Sequence, residues 1–492
     1  MANDGQDNNG ISRRDFTARL GAATAGMAIG SEFFKTGLSA ASQGRVIGAN
    51  DRVVVASIGI RGQGNAVKRG FAQLPNVTVK TLCDIDANLA PERINDSRLA
   101  SVATYKPDFV QDMRKVFDDK DVDAVIIATP NHWHALATIW GLQAGKHVYV
   151  EKPASHTVWE GRKMVEAQAR FGKMVQVGTM NRSRPAVRAA IKFIQDGGIG
   201  KVYMARGLCF KPRPSIGKYP DGPMQAGEKY ALTVGSTDFL PPYDAQYLSK
   251  VDYDLWLGPA SKRPFNRNRF HYNWHWQWEY GNGDTGNQGP HQFDIARWGL
   301  GKQEHPVEIS SMGGYFGPES QQETPDMQTA LFKYADGMVL EFATRGEHTN
   351  DEGTQRIGNL FYGSKGWLWI DETGRRWQSY MGAVGAKNEK GPGAEPPPEA
   401  GANEPVGLTT TEFPHYQNFI DAIRANDAKK LNCDIMEGHL SSSLPHMANI
   451  SYRVGHGLTF DGKSERFVND KKADALLTRE YRKGFEIPRS FS

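Results

Sequence analysis

Val53-Val54-Val55-Ala56-Ser57-Ile58-Gly59-Ile60-Arg61-Gly62-Gln63-Gly64 is the stretch that decides the architecture of this 492-residue chain. The run from Val53 to Ile58 is apolar except for Ser57, which predicts a strand covered on both faces, as in a parallel sheet. The glycines predict a tight turn, and a helical pattern from Asn65 to Leu74 follows. Strand, glycine turn and helix in this order let backbone amides and a helix N-terminus approach a pyrophosphate. The spacing departs from G-x-G-x-x-G, because Arg61 stands where the second glycine belongs and Gly62 comes one place late. Such a turn also occurs without any nucleotide, so the surrounding sequence has to decide.

Outward from this turn, a strand from Val77 to Cys83 ends at Asp84, 25 positions after Gly59 (84 − 59). A carboxylate there accepts hydrogen bonds from ribose hydroxyls and repels a 2′-phosphate, which favours NAD over NADP. Alternation continues with a strand at Val122–Ala128, a helix at Trp133–Gly141, a strand at His147–Val150, a helix at Val158–Phe171 and a strand at Lys173–Val177. The pattern predicts an α/β, doubly wound parallel sheet over residues 50–178, with ligands at the carboxyl ends of its strands. Two polar clusters fall at such ends, Ala128-Thr129-Pro130-Asn131-His132-Trp133-His134 and Glu151-Lys152-Pro153. Gly59, Arg61, Gly62, Gly64, Asp84, Thr129, Pro130, Asn131, His132, His134, Glu151 and Lys152 are therefore the cofactor-binding candidates.

After Gly178 the character changes to strands and hairpins, for example Lys201–Cys209, and Leu331–Phe342 turning at Asp336-Gly337. Residues 179–492 are expected to form a second domain, with a Pro/Gly-rich surface loop near 382–407 and helices at Tyr416–Ala425 and Ile435–Val454 packing back on the first. The segment Asp284-Thr285-Gly286-Asn287-Gln288-Gly289-Pro290-His291-Gln292-Phe293-Asp294 starts a helix, with Pro290 suited to its first turn. With the glycine turn, Cys83-Asp84, the Ala-Thr-Pro-Asn-His cluster and Glu151-Lys152-Pro153, it resembles the glucose-fructose oxidoreductase and inositol dehydrogenase family, Gfo/Idh/MocA. The resemblance implies a Rossmann domain followed by an α+β domain with a large, mostly antiparallel sheet, often packed against another subunit. It also implies that His291 lies beside the nicotinamide and shares proton transfer with Lys152.

Oxidising a secondary alcohol by hydride transfer leaves a proton on oxygen, so a base must take it while a cation stabilises the developing alkoxide. His291 is assigned as the base and Lys152 as the oxygen stabiliser. Many dehydrogenases of the family carry an aspartate four residues before the histidine, where this chain has Asn287. Asparagine orients a neighbour but supplies no charge. Asn287 and Asp294 are taken as catalytic support, with Asp284 or Asp294 as sources of the missing charge. Upstream, Trp274, Trp276 and Trp278 alternate with His275, Gln277 and Glu279. On a strand the tryptophans share one face, either stacking on a sugar ring or filling the sheet core. They and Arg182 are the substrate-binding candidates.

Hydrophobic residues at 39% and charged residues at 23% fit a globular enzyme, and a net charge of +4 without a dense Lys/Arg run argues against nucleic acid as a partner. Cys83, Cys209 and Cys433 are too scattered for a disulfide framework or a zinc site, so no metal is expected. Residues 1–41 read as a twin-arginine export signal, with Ser12-Arg13-Arg14-Asp15-Phe16, a small-residue run from Leu20 to Gly30, and cleavage near Ser39-Ala40-Ala41. The run is too short for a permanent membrane anchor. A periplasmic or secreted homo-oligomer with tightly held NAD and a carbohydrate substrate is the leading expectation. An NAD-dependent glycosidase or lyase and a silent sugar-binding protein on the same fold stay open.

Overall fold

The structure, a computed structural model, describes residues 52–229, 231, 241–347, 349–352, 355–382, 385, 387–394 and 413–491. Residues 1–41, read from the sequence as an export signal with its cleavage site, lie outside the described residues. Among those described, no helix is long and apolar enough to cross a membrane.

The quoted stretch folds as read: β1 spans Val53–Ile58, and α1 starts at Gln63 and runs to Ala72. It is followed by β2 (Val77–Cys83), β3 (Asp108–Val110), β4 (Ala124–Ile127), α2 (Asn131–Gln143), β5 (His147–Val150), α3 (Val158–Phe171) and β6 (Val175–Val177). The six strands form one parallel sheet in the order β3-β2-β1-β4-β5-β6. Every residue of β1, β4, β5 and β6 is buried, the reason their sequences are apolar without alternation. On one face Val53, Val55, Val79, Ala124 and Ile126 pack with Phe71 of α1 and with Tyr416, Phe419 and Ile420 of a helix from far down the chain. On the other, Gly141 of α2 approaches Val125 and Val148 so closely that a Cβ there would sit 3.3 Å from Val148.

The helix α4 (Pro185–Gln195) leads into β7 (Val202–Cys209), and α5 (Gly289–Gly299) precedes the main run of strands. These are β8 (Glu308–Gly314), β9 (Met327–Lys333), β10 (Val339–Arg345), β11 (Ile357–Gly363), β12 (Gly366–Asp371), β13 (Trp377–Met381) and β14 (Glu389–Ala394). After α6 (Phe413–Ala425) and α7 (Ile435–Val454) come β15 (Leu458–Asp461) and β16 (Arg466–Phe467). The ten strands make one sheet, β14-β13-β12-β11-β7-β10-β9-β8-β15-β16, antiparallel except for the β7/β10 pair. The hairpin at Asp336-Gly337 forms between β9 and β10, with Gly337 at φ +87°. Buried side chains of α4, α5 and α7 cover one face of this sheet. One expectation fails in part: Glu389–Ala394, read as surface loop, pairs with β13 as the edge strand. An edge strand needs only one ladder, so Gly391, Pro392 and Gly393 are tolerated there. All three cysteines are buried and free.

Candidate active site

The carboxyl ends of β1, β2, β4 and β5 open into a cavity of about 550 Å3. Its floor holds Gly59, Arg61, Gly62, Asp84, Thr129, Pro130, Asn131, His134, Glu151 and Lys152, ten of the twelve cofactor candidates. The glycines divide the work. Gly59, at φ +83°, abuts β4, where a Cβ would fall 2.6 Å from the Ala128 carbonyl oxygen, and a Cβ on Gly64 would fall 1.8 Å from the Gly59 carbonyl oxygen. Gly62, the displaced glycine, has nothing within 4 Å of its Cβ position. Bare backbone is thus presented to the cavity at the N-cap of α1, where helix amides and dipole attract a phosphate. Asp84 accepts from the amides of Ile60 (2.9 Å) and Asp86 (3.1 Å), leaving further lone pairs for ribose hydroxyls. Burial pushes its carboxyl up to about 6. This floor fits a dinucleotide.

His132 and Gly64 do not line the cavity. His132 is buried, with Nε2 2.9 Å from the Trp256 carbonyl oxygen, and so holds the opposite wall of the cleft. His134 lies between the carbonyls of Thr129 (2.8 Å) and Pro153 (2.7 Å), tying the end of β4 to the turn that carries Lys152.

Lys152 and His291, from different domains, reach the same cavity. The Lys152 ammonium donates to the backbone carbonyl of Asn287 at 2.8 Å, with Asn287 Oδ1 at 3.5 Å. Asn287 therefore orients the lysine. Burial lowers the Lys152 pKa, against the pull of Glu151 and Asp284, with Lys211 and Arg213 lowering it further. Burial, then the charge of Lys152, holds His291 well below the usual histidine range, so its ring is neutral and able to accept a proton. His291 Nδ1 is buried without a hydrogen-bond partner among the described residues.

The two carboxylates considered for the missing charge are engaged elsewhere. Asp284 pairs through both oxygens with Arg213, at 2.6 and 2.7 Å. Asp294 is fully buried and accepts from Arg182 Nε at 2.8 and 3.0 Å and from Ser441 Oγ at 2.7 Å. Arg182 also bonds Glu437, to which Arg297 is paired. Arg182 and Asp294 are thus joined in an ion network within the second domain, outside the cavity lining. A three-residue spacing put Asp294 within reach of His291, but the buried guanidinium captured it.

The tryptophan alternation is not a strand. Asn273–Trp276 is a single 3-10 turn, and the three rings part company. Trp274 lines the cavity, Trp276 is buried beneath the Arg213 guanidinium at 5.2 Å, and Trp278 lies under Arg453, also at 5.2 Å. Side-chain packing against Arg213 and Arg453 overrode a period that strand pairing alone would have favoured. The segment instead completes a roof over the cavity, to which Trp256, His271, Tyr272, Trp274 and His275 contribute. Of these, Trp256, His271, Tyr272 and His275 are not among the sequence candidates; for His275 the polar position between Trp274 and Trp276 was the available signal. The buried carboxylate of Asp86 anchors the roof, accepting from Tyr247 Oη at 2.5 Å and His271 Nε2 at 3.0 Å.

Away from the cavity, His305, His439 and Glu465 hold their ligating atoms within 4.8 Å of one another. Both Nε2 atoms already sit 2.7–2.8 Å from Glu465 Oε1, and Arg162 binds the same carboxylate, so hydrogen bonds close the group.

A parallel sheet with a glycine turn, a carboxylate at the end of β2 and a lysine–histidine pair beyond it define a nicotinamide-dinucleotide-binding oxidoreductase fold. The chain belongs to the Gfo/Idh/MocA oxidoreductase family: residues 54–179 match its NAD-binding Rossmann fold, and residues 233–368 and 406–487 its C-terminal alpha/beta domain. A levoglucosan dehydrogenase of Pseudarthrobacter phenanthrenivorans is 41% identical over 96 residues, 20% of this chain and 25% of that protein. A glycosyl hydrolase family 109 protein of Saccharopolyspora erythraea is 28% identical over 221 residues, 42% of this chain and 47% of that protein. The chain thus spans between a quarter and about half the length of these curated relatives. A solved levoglucosan dehydrogenase in complex with NADH and levoglucosan shares the fold, with a TM-score of 0.60, 20% identity, and coverage of 83% of this chain and 99% of that one.

Proposed function

We propose that this protein moves hydride between a tightly held NAD and a hydroxyl-bearing carbon of a sugar or polyol. The observation that carries the reading is that Lys152 and His291 line the same cavity as the glycine turn and Asp84 of the dinucleotide floor. When bound, NAD accepts or returns the hydride. Lys152 holds the substrate oxygen and stabilises its developing charge, while the neutral His291 ring takes the hydroxyl proton. The roof, pinned through Asp86, supports slow cofactor release. Retention suits a chain exported in folded form, for which the Arg13-Arg14 segment and the small-residue run behind it are the support. Tyr203, Met312 and Leu331, exposed on strands of the large sheet, support self-association into a homo-oligomer. The test is absorbance of the purified protein in the reduced-nicotinamide band before and after a panel of sugars and polyols. Sugar-dependent reduction without added NAD is expected; protein that carries no dinucleotide and binds NAD only at millimolar concentration sinks the retention claim.

The likeness to a glycosyl hydrolase family 109 protein favours one second reading, transient sugar oxidation followed by loss of the glycosidic substituent. Dye release from p-nitrophenyl glycosides without net NADH formation would select it over simple oxidoreduction.

A further inference from the structure

His275 reaches the cavity from the roof, and the positive charges that bear on its ring are Lys152 and Arg213. Its orientation is set from three sides. Nδ1 lies 2.5 Å from the Tyr272 carbonyl oxygen, which can only accept, so the ring proton resides on Nδ1 and Nε2 carries a lone pair. The ring stacks on Trp274 with centroids 3.7 Å apart and planes 18° from parallel. Behind it Gly281 leaves no slack, since a Cβ there would come 2.6 Å from His275 Cα. Among the described residues, nothing is hydrogen-bonded to Nε2. Burial and the two cations hold the imidazole pKa down to about 3, so the ring stays an uncharged acceptor at any working pH.

We propose that His275 Nε2 accepts a hydrogen bond from a second hydroxyl of the substrate, making it a specificity-determining residue. This rests on the reading of the cavity as a sugar or polyol site. The two groups then read opposite halves of a hydroxyl: the Lys152 ammonium donates to the reacting oxygen, and the His275 lone pair receives a proton from another. A ketone or carboxylate oxygen at that second place has no hydrogen to give and is rejected. The site therefore takes neutral polyhydroxylated substrates and discriminates against their acid or keto counterparts at one position.

The experiment compares D-glucose, D-galactose and myo-inositol with their monodeoxy analogues, on wild-type protein and His275→Phe, which keeps a ring to stack on Trp274 but has no acceptor. Rates are read as kcat/KM, and binding to protein with its nicotinamide reduced is read by calorimetry. In the wild type, removal of one particular hydroxyl lowers both by about ten- to a hundredfold. In His275→Phe the parent sugar falls to the level of that analogue, while the analogue itself changes by less than about twofold. His275→Gln, which retains an acceptor, keeps part of the preference. Equal losses for parent and analogue in His275→Phe, or a wild type indifferent to every deoxy change, overturn the assignment while leaving sugar oxidation intact. A wild type that carries NAD yet turns over and binds no member of the panel fails the sugar-site reading, and this inference with it.

Discussion

The floor of the cleft is made of consecutive strand ends of one parallel sheet, whereas its roof, residues 241–282, contains short helical turns and a single isolated bridge, Val251 to Asp86. Backbone ladders hold the floor. The roof is held by a buried aromatic cluster of Tyr243, Trp256, Phe270 and Tyr280, and by side chains of the nucleotide domain that bond its backbone, Trp133 and His132 to Trp256 among them. Ladders impose a period that recurs along the sequence, while pairwise clasps impose none. One wall of the same cavity is therefore legible in advance and the other is not.

The comparison breaks most visibly at Lys152 and His291, the proposed catalytic pair, which joins floor to second domain. Lys152→Ala or His291→Ala should lower kcat by about a thousandfold with bound NAD unchanged, read by turnover and cofactor absorbance. Near-normal turnover in either would mean that the two walls do not meet over a reacting oxygen.

Next in size is the anchor of the roof. Asp86→Ala strips the buried His271 and the half-buried Tyr247 of their shared acceptor, at a cost of about 1–3 kcal/mol. NAD release, followed by stopped-flow fluorescence, should quicken by about ten- to a hundredfold. An unchanged release rate would make the roof a bystander.

A smaller effect sharpens the role of Asn287. Lys152 is lowered from the ordinary lysine value by burial, so the alkaline limb of kcat/KM, where the ammonium is lost, should fall below that value. Because His291 is held neutral, no acid limb should appear near the usual histidine range. Asn287→Asp places a carboxylate near the ammonium and should move the alkaline limb upward by about one pH unit. A limb that stays put would deny that this position acts on Lys152.

The smallest effect belongs to the floor alone. As pH falls through about 6, Asp84 takes up a proton and loses the charge that repels a 2′-phosphate. The affinity for NADP relative to NAD, titrated by calorimetry on apoprotein, should then rise by roughly fivefold, the worth of about 1 kcal/mol of screened repulsion. A ratio independent of pH would remove Asp84 from the adenosine ribose.

Most of the floor could be read in advance because its residues are sequence neighbours of strand ends: Asp84 directly follows β2, Lys152 comes two positions after β5, and Asn131 opens α2 shortly past the end of β4. Asp294 and Arg182 misled for a related reason. Helical spacing tells which residues share a face, but not which buried partner will claim them.

Local sequence by itself determined the parallel sheet, the glycine turn and the domain order, because periodicity and turn chemistry act over a few residues; Lys152 and His291 were singled out by the motifs that carry the family resemblance. Tertiary structure alone decided that Asn287 serves the lysine, that the tryptophans scatter and that His275 faces the cavity. Those outcomes depend on contacts across more than a hundred positions, such as Lys152 with Asn287, or on side-chain packing that a repeating pattern does not encode.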